Sequence, residues 1–217
     1  MTSSAAFHDA LAKYEIELPR DCVERLDQFC QLLWDWNQKL NLTRHTDLDT
    51  FISRDLTDSL QLAQLLSANE NTLDIGSGGG VPGVVLAVIR PDLKISLSES
   101  VGKKAAALET IVRELNLPTP VHHRRAEHVL EDAHYDVLVA RAVGPLWKML
   151  KWFEPHWKSI GRLLAIKGPR WVEERGEARH RGYLQSLQLR RAVSYSMPGT
   201  DSESVILKIW PKARPEP

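Results

Sequence analysis

Hydrophobic positions along the chain change their period near residue 70. Upstream, Val23, Leu26, Cys30, Leu33 and Leu40 recur close to helical spacing across residues 19–40. Asp21, Glu24 and Asp27 enrich the start of that stretch, where carboxylates favour a helix N-terminus. A second helical pattern covers residues 48–66. Downstream, short apolar runs at 73–75, 94–97, 119–122, 135–140 and 162–166 predict strands. Helical stretches fall between most of them, most clearly 103–115 and 145–158. That alternation predicts an α/β fold, a largely parallel sheet wrapped by helices. Two more strands, 189–196 and 204–210, flank the turn Met197-Pro198-Gly199-Thr200 and predict a closing antiparallel hairpin. The expected organisation is a helical extension over residues 1–70 packed on a core over 71–217, compact as a whole.

The sharpest local signal is Thr72-Leu73-Asp74-Ile75-Gly76-Ser77-Gly78-Gly79-Gly80-Val81-Pro82-Gly83, a strand breaking into a glycine loop. The apolar run Val84 to Ile89 supplies the following helix, with Pro82 expected in its first turn. Such a loop lets backbone approach a ligand and aims free helix N–H groups at it. A nucleotide-like cofactor is therefore expected. Seven strands ending in a hairpin fit the Rossmann-like sheet of class I S-adenosylmethionine methyltransferases better than a symmetric dinucleotide fold.

Two registers compete inside the loop. Gly76-x-Gly78-x-Gly80 after Asp74 is the pattern of S-adenosylmethionine enzymes, while Gly78-x-Gly80-x-x-Gly83 satisfies the dinucleotide fingerprint. Glu99 ends the second strand, where a carboxylate accepts ribose hydroxyl protons in either class. Asp74 can order the turn and offset a cationic methionine end, and Ala126-Glu127 follows the third strand, beside the expected adenine. The second glycine-rich half of a dinucleotide fold is missing. These features favour the methyl donor, with an NAD-dependent oxidoreductase as runner-up. That alternative lacks a Tyr-x-x-x-Lys pair for proton relay. A non-catalytic RNA-binding module that kept the cofactor fold is a third reading, and a methyltransferase of small molecules or proteins a fourth.

Composition changes the picture little. Residues 1–100 carry 8 Lys/Arg against 15 Asp/Glu, and residues 101–217 carry 20 against 13. A positive face toward an anionic partner is one consequence, ordinary solvated helix surface the other. Residues 1–10 show no basic segment followed by an apolar core, and no apolar run approaches membrane-spanning length. Cys22 and Cys30, eight apart in a helical pattern, are expected as reduced, partly buried thiols. A cytoplasmic location follows. His122, His123 and the six other histidines show no metal-ligand spacing, so no metal is expected. With no coiled-coil seam, a monomer is the expectation.

The ordered motifs then resemble one family. Trp36-Asn37-Gln38-Lys39-Leu40-Asn41-Leu42-Thr43 looks like the WNxxxNLT signature of the bacterial ribosomal RNA small subunit methyltransferase G family, formerly glucose-inhibited division protein B. Arg54-Asp55-Leu56-Thr57-Asp58-Ser59 is similar to its next motif, and Asp74 to Gly83 to its glycine loop. Ser100 to Lys104, Arg141-Ala142 and Lys167-Gly168 match later segments in order. The resemblance implies S-adenosylmethionine-dependent methylation of N7 of a guanine in the 530 loop of 16S ribosomal RNA, with the naked RNA or the assembled 30S subunit as partner. It places Gly76, Val81, Ala126, Glu127 and Arg141 at cofactor-binding positions and Glu99 at the ribose, with Asp74 and Gly78 beside them. The family usually has histidine where Asp55 stands, often aspartate at Glu99 and often proline at Gly79.

Guanine N7 carries a lone pair and no proton, so attack on a sulfonium methyl needs no general base. The Asn/Asp-Pro-Pro-aromatic motif of amino-nitrogen methyltransferases is absent; Arg141-Ala142-Val143-Gly144-Pro145 stands after the fourth strand instead. Arg141 is expected to bind the methionine carboxylate or guanine O6, or else to form a structural salt bridge. Lys167, Lys103, Lys104 and Arg54 are the candidate substrate contacts, with simple solvation the other reading of Lys167; a basic rim comprises Lys103, Lys104, Arg124, Arg125, Arg141, Lys148, Lys151, Lys167 and Arg170. Trp147, Leu150, Phe153 and Trp157 follow helical spacing, which favours packing over base stacking for most of them.

Overall fold

The structure, a computed structural model, describes residues 3–217. Its N-terminal part is helical: α1 (Ser3–Lys13), α2 (Arg20–Asn37), a single turn α3 (Leu48–Thr50), a π-helical turn (Phe51–Leu56) and α4 (Thr57–Ala63). Strands and helices then alternate as β1 (Asn71–Ile75), α5 (Gly83–Ile89), β2 (Lys94–Ser98), α6 (Gly102–Glu114), β3 (Val121–His122) and α7 (Ala126–Asp132). The chain continues through β4 (Tyr135–Arg141), α8 (Leu146–Phe153), a 3-10 turn (Glu154–Ser159), β5 (Ile160–Lys167) and α9 (Trp171–His180). It ends in the hairpin β6 (Leu187–Ser196) and β7 (Glu203–Pro211).

The strands form one sheet in the order β3-β2-β1-β4-β5-β7-β6, parallel from β3 to β5 and antiparallel at β7 and β6. Alternation along each strand feeds two apolar layers. Val137, Val139, Leu164, Ile166 and Ile206 enter a core shared with α1, α2, α5 and α6. Leu73, Ile75, Leu138, Ala140, Leu163, Ala165 and Leu207 face the other layer, under α7, α8 and α9. The order reverses between β1 and β4, so a crevice opens beyond their carboxyl ends.

Helical segments depart from their predicted lengths for local reasons. The 145–158 stretch splits because Pro155 sits at the start of the 3-10 turn and α8 stops at Phe153. The 48–66 stretch carries the π-helical turn in its middle and ends at Ala63. Pro82 precedes α5 rather than entering its first turn. α2 stops at Asn37, whose Oδ1 accepts the N–H groups of Leu42 (2.8 Å) and Thr43 (3.0 Å). Trp34 donates its ring N–H to the His45 carbonyl, 2.9 Å away. Asn37 and Trp34 thus fasten the loop after α2, whose Leu42 carbonyl lies against Gly79 of the glycine loop. Cys22 and Cys30 are both buried in the α2 core face, Cys30 more deeply, and burial pushes both thiols up in pKa.

The N-terminal helices share their apolar layer with α5 and α6. A buried ion pair adds a polar fastening at the opposite end of the sheet. Arg162 of β5 donates to both carboxylate oxygens of Glu70 (2.7 and 2.8 Å) and to the Leu65 carbonyl (2.9 Å). Removing one member of such a pair leaves an uncompensated buried charge. Arg162→Ala is expected to lower unfolding free energy by about 3–5 kcal/mol, read as the urea midpoint of tryptophan fluorescence. A shift under about 1 kcal/mol would show the pair to be dispensable.

Candidate active site

The glycine loop is held from beneath by β1 and β2. Ser77 donates its backbone N–H to the Ser98 carbonyl (3.0 Å) and its hydroxyl to the Asp74 carbonyl (3.0 Å). Gly76 has φ +66°, a left-handed conformation that a side chain rarely adopts. A Cβ at Gly83 would lie 2.3 Å from Leu97 and 2.6 Å from Asp74 Oδ2, so helix α5 enters only because that position is bare. Gly83 donates its N–H to that same carboxylate oxygen at 3.1 Å. Gly79, where the family often has proline, packs against the Leu42 carbonyl of the loop after α2.

Glu99 is buried with both oxygens engaged. Oε2 accepts the Gly78 N–H (3.0 Å) and Oε1 the Val101 N–H (2.7 Å). Each oxygen keeps a further lone pair, so the carboxylate is oriented without being saturated. Asp74 is 1% exposed and does not reach the cavity wall. Of its two expected roles, ordering the turn is the one its contacts perform.

Three cavities meet at the carboxyl ends of β1, β2, β4 and β5. One of about 340 Å³ is lined by Thr43, Gly76, Gly78, Val81, Glu99 and Lys104, among others. A second of about 220 Å³ is lined by Gly76, Ser98, Ala126, Glu127, Val143 and Trp152. The third, about 700 Å³, is bounded by His45, Asp58, Arg141, Lys167, Glu174 and Ser204. Gly76 and Val143 are common to the first two, and Arg141 and Ala142 to the first and third. The segment after β4 therefore partitions the site, with Ala142 at φ 55° to make the turn.

Arg141 anchors this partition. Nη1 donates to Asp55 Oδ1 (2.6 Å) and Asp58 Oδ2 (3.2 Å); Asp58 Oδ1 accepts the Tyr195 hydroxyl at 2.7 Å. His45 Nδ1 lies 2.8 Å from the same Asp55 oxygen. The salt-bridge reading of Arg141 is met, and the residue still lines two cavities. Burial pushes the Asp58 carboxyl up while Arg141 and Tyr195 pull it down. Asp55 Oδ2 is buried without a hydrogen-bond partner.

The candidate cations separate. Lys167 is nearly buried, its ammonium held by the Gly144 carbonyl (2.6 Å) and Glu174 (2.7 Å), so it braces the segment after β4. Glu174 also takes the Leu146 N–H at the start of α8. Lys104 lines the glycine-loop cavity, whereas Lys103 and Arg54 line none of the three. Trp147, Trp152 and Trp157 are half-buried against the second apolar layer, and Trp152 also borders the 220 Å³ cavity under Arg125. His45 and Tyr195 belong to no motif and join the site only through tertiary contact.

The residues present fit S-adenosylmethionine: a glycine loop lining one cavity, a buried carboxylate, Glu99, in its wall, and a separate cavity lined by Ala126 and Glu127. The sheet ends in an antiparallel hairpin rather than a second mononucleotide half. Fold and site together define a class I S-adenosylmethionine-dependent methyltransferase. Solved structures of similar fold include a mutant of MtNAS in complex with S-adenosylmethionine (TM-score 0.57, 16% identity, 94% of this chain and 84% of that one). A precorrin-6y C5,15-methyltransferase from Geobacter metallireducens gives TM-score 0.55 at 12% identity, over 80% of this chain and 95% of its own.

The family described as rRNA small subunit methyltransferase G (GidB) matches residues 22–202, and the chain belongs to it. Relatives named ribosomal RNA small subunit methyltransferase G include one from Rhodopirellula baltica, 52% identical over 89% of this chain and 84% of its own length. Another, from Halorhodospira halophila, is 40% identical over 77% of this chain and 79% of its own.

Burial pushes the Asp74 carboxyl up to about 7, against the opposing hydrogen bonds of Ser77 and Gly83 and the charge of Arg141. The folded chain thus binds a proton more tightly than the unfolded chain, whose carboxyl ionises near 3.8. The stability from this group is full below about pH 4, falls as pH rises and is lost above about pH 7. Asp74→Asn keeps an acceptor for Gly83 and is expected to remove that slope. Urea midpoints of both proteins across about pH 4–8 check this; profiles that stay parallel would contradict it.

Proposed function

We propose that this chain methylates N7 of a guanine in the 530 loop of 16S ribosomal RNA, guanine 527 in standard numbering. It does so in the cytoplasm, as a monomer acting on the small ribosomal subunit. Among the described residues, no helix is long and apolar enough to cross a membrane. The observation that carries the reading is the 700 Å³ cavity that joins the glycine-loop cavity at Arg141 and Ala142. Such a cavity gives an acceptor base one route to the methyl donor.

S-adenosylmethionine supplies a sulfonium-bound methyl, which a ring-nitrogen lone pair accepts without any proton moving. Gly76, Gly78, Val81 and Glu99 would hold its ribose and methionine portions, and Ala126 and Glu127 its adenine. Arg141 orients rather than activates, since its charge is outnumbered by Asp55 and Asp58. That balance suits a base that becomes cationic on methylation, because carboxylates near a forming cation lower its energy. Lys167 and Glu174 fix the segment after β4 against the incoming base. Alignment is the main contribution of the protein.

Small subunits lacking this methylation, incubated with the protein and S-adenosylmethionine, are expected to give a borohydride–aniline cut at the 530-loop guanine. No cut, in subunits that another family member does methylate, overturns the assignment. Glu99→Gln replaces one acceptor oxygen with a donor facing a backbone N–H. It is expected to weaken S-adenosylmethionine binding by about tenfold, roughly 1.4 kcal/mol, in calorimetry. Unchanged affinity would remove Glu99 from the cofactor site.

A further inference from the structure

His45 lines the acceptor cavity together with Asp58, Arg141, Lys167 and Ser204. Its ring is about a third exposed, at 32%, while the Asp55 side chain behind it is at 0%. Asp55 Oδ1 receives both His45 Nδ1, at 2.8 Å, and Arg141 Nη1, at 2.6 Å. A carboxylate can only accept, so the proton of a neutral His45 ring sits on Nδ1 and the lone pair on Nε2. Nε2 is then the ring nitrogen left for the cavity. The loop that carries His45 is fixed on both sides: Trp34 donates to the His45 carbonyl, and the His45 N–H donates to Thr43 Oγ1 at 3.0 Å.

Position 55 is a carboxylate, and the imidazole of His45, ten positions earlier, lies against it at 2.8 Å. Guanine offers acceptors, N7 and O6, along one edge and N–H donors at N1 and N2 along the other. A base with N7 turned toward the glycine-loop cavity presents its N–H edge away from that cavity, to an acceptor.

We propose that His45, held in one tautomer by Asp55, accepts a hydrogen bond from the N–H edge of the acceptor guanine. His45 binds the base and Asp55 is a positioning residue that acts through it. The inference rests on the guanine-N7 reading above.

The test is steady-state methylation of unmethylated small subunits, with S-adenosylmethionine affinity by calorimetry and Tm measured on the same proteins. His45→Ala is expected to lower kcat/KM for subunits about tenfold, with cofactor affinity and Tm near wild type. His45→Gln, which returns an acceptor near the position of Nε2, is expected to recover most of that loss. Asp55→Asn, which also loosens Arg141, is expected to lower kcat/KM at least as far as His45→Ala; should that variant not fold, the His45 pair decides alone. A His45→Ala enzyme within twofold of wild type overturns the inference and leaves the guanine-N7 reading intact. Loss of cofactor affinity in both His45 variants overturns it too, by showing His45 to be a support of the cofactor cavity. A wild-type protein that methylates no small-subunit RNA takes down the parent reading and this inference together.

Discussion

The guanidinium of Arg141 lies between two carboxylates that would otherwise repel each other inside the protein. Asp55 comes from the π-helical turn, Asp58 from α4 and Arg141 from the end of β4, while Tyr195 of β6 closes the set through Asp58. Arginine does not shed its charge on burial, so it persists there only with anionic partners. The two aspartates are in turn tolerable only with the cation between them. This mutual requirement fixes the N-terminal helices against the carboxyl edge of the sheet. It also sets the wall between the glycine-loop cavity and the acceptor cavity.

A second constraint acts from below the loop. Asp74 and Glu99 are carboxylates on neighbouring strands, and both accept backbone N–H groups of the glycine segment or its helix. Backbone donors of this kind hold a loop open for a ligand, because the groups that would collapse it are already engaged. The two sets of contacts divide the work. Arg141 and its aspartates place the acceptor side, and Asp74 and Glu99 place the donor side.

Local pattern carried the sheet and the loop. The central strands β1, β4 and β5 sit where their apolar runs put them, because strands buried on both faces read as Val, Leu and Ile, whereas β3 is only Val121–His122 and β6 is mostly exposed. The glycine loop was legible because its chemistry is contiguous. The polar network was not: Asp55 and Arg141 are 86 residues apart, and Asp58 and Tyr195 137 apart, so no window contains both partners. Lys167 shows the same limit. Its position at the end of β5 suggested an outward contact, and only the Gly144 carbonyl and Glu174 on the next helix explain why it turns inward. Asn37 belongs to a recognisable motif, and the structure accounts for it as loop fastening, with Trp34 outside the motif adding a second tie.

The distances along the chain have a consequence for synthesis. The N-terminal helices leave the ribosome first, yet Arg141 and Tyr195, which complete their polar partners, emerge far later. Long-range contacts of this kind cannot form until the loop between them has been made. The acceptor cavity is therefore assembled only when nearly the whole chain is available. An incomplete nascent chain holds the aspartates without their cation, and the site becomes competent as a last act of folding.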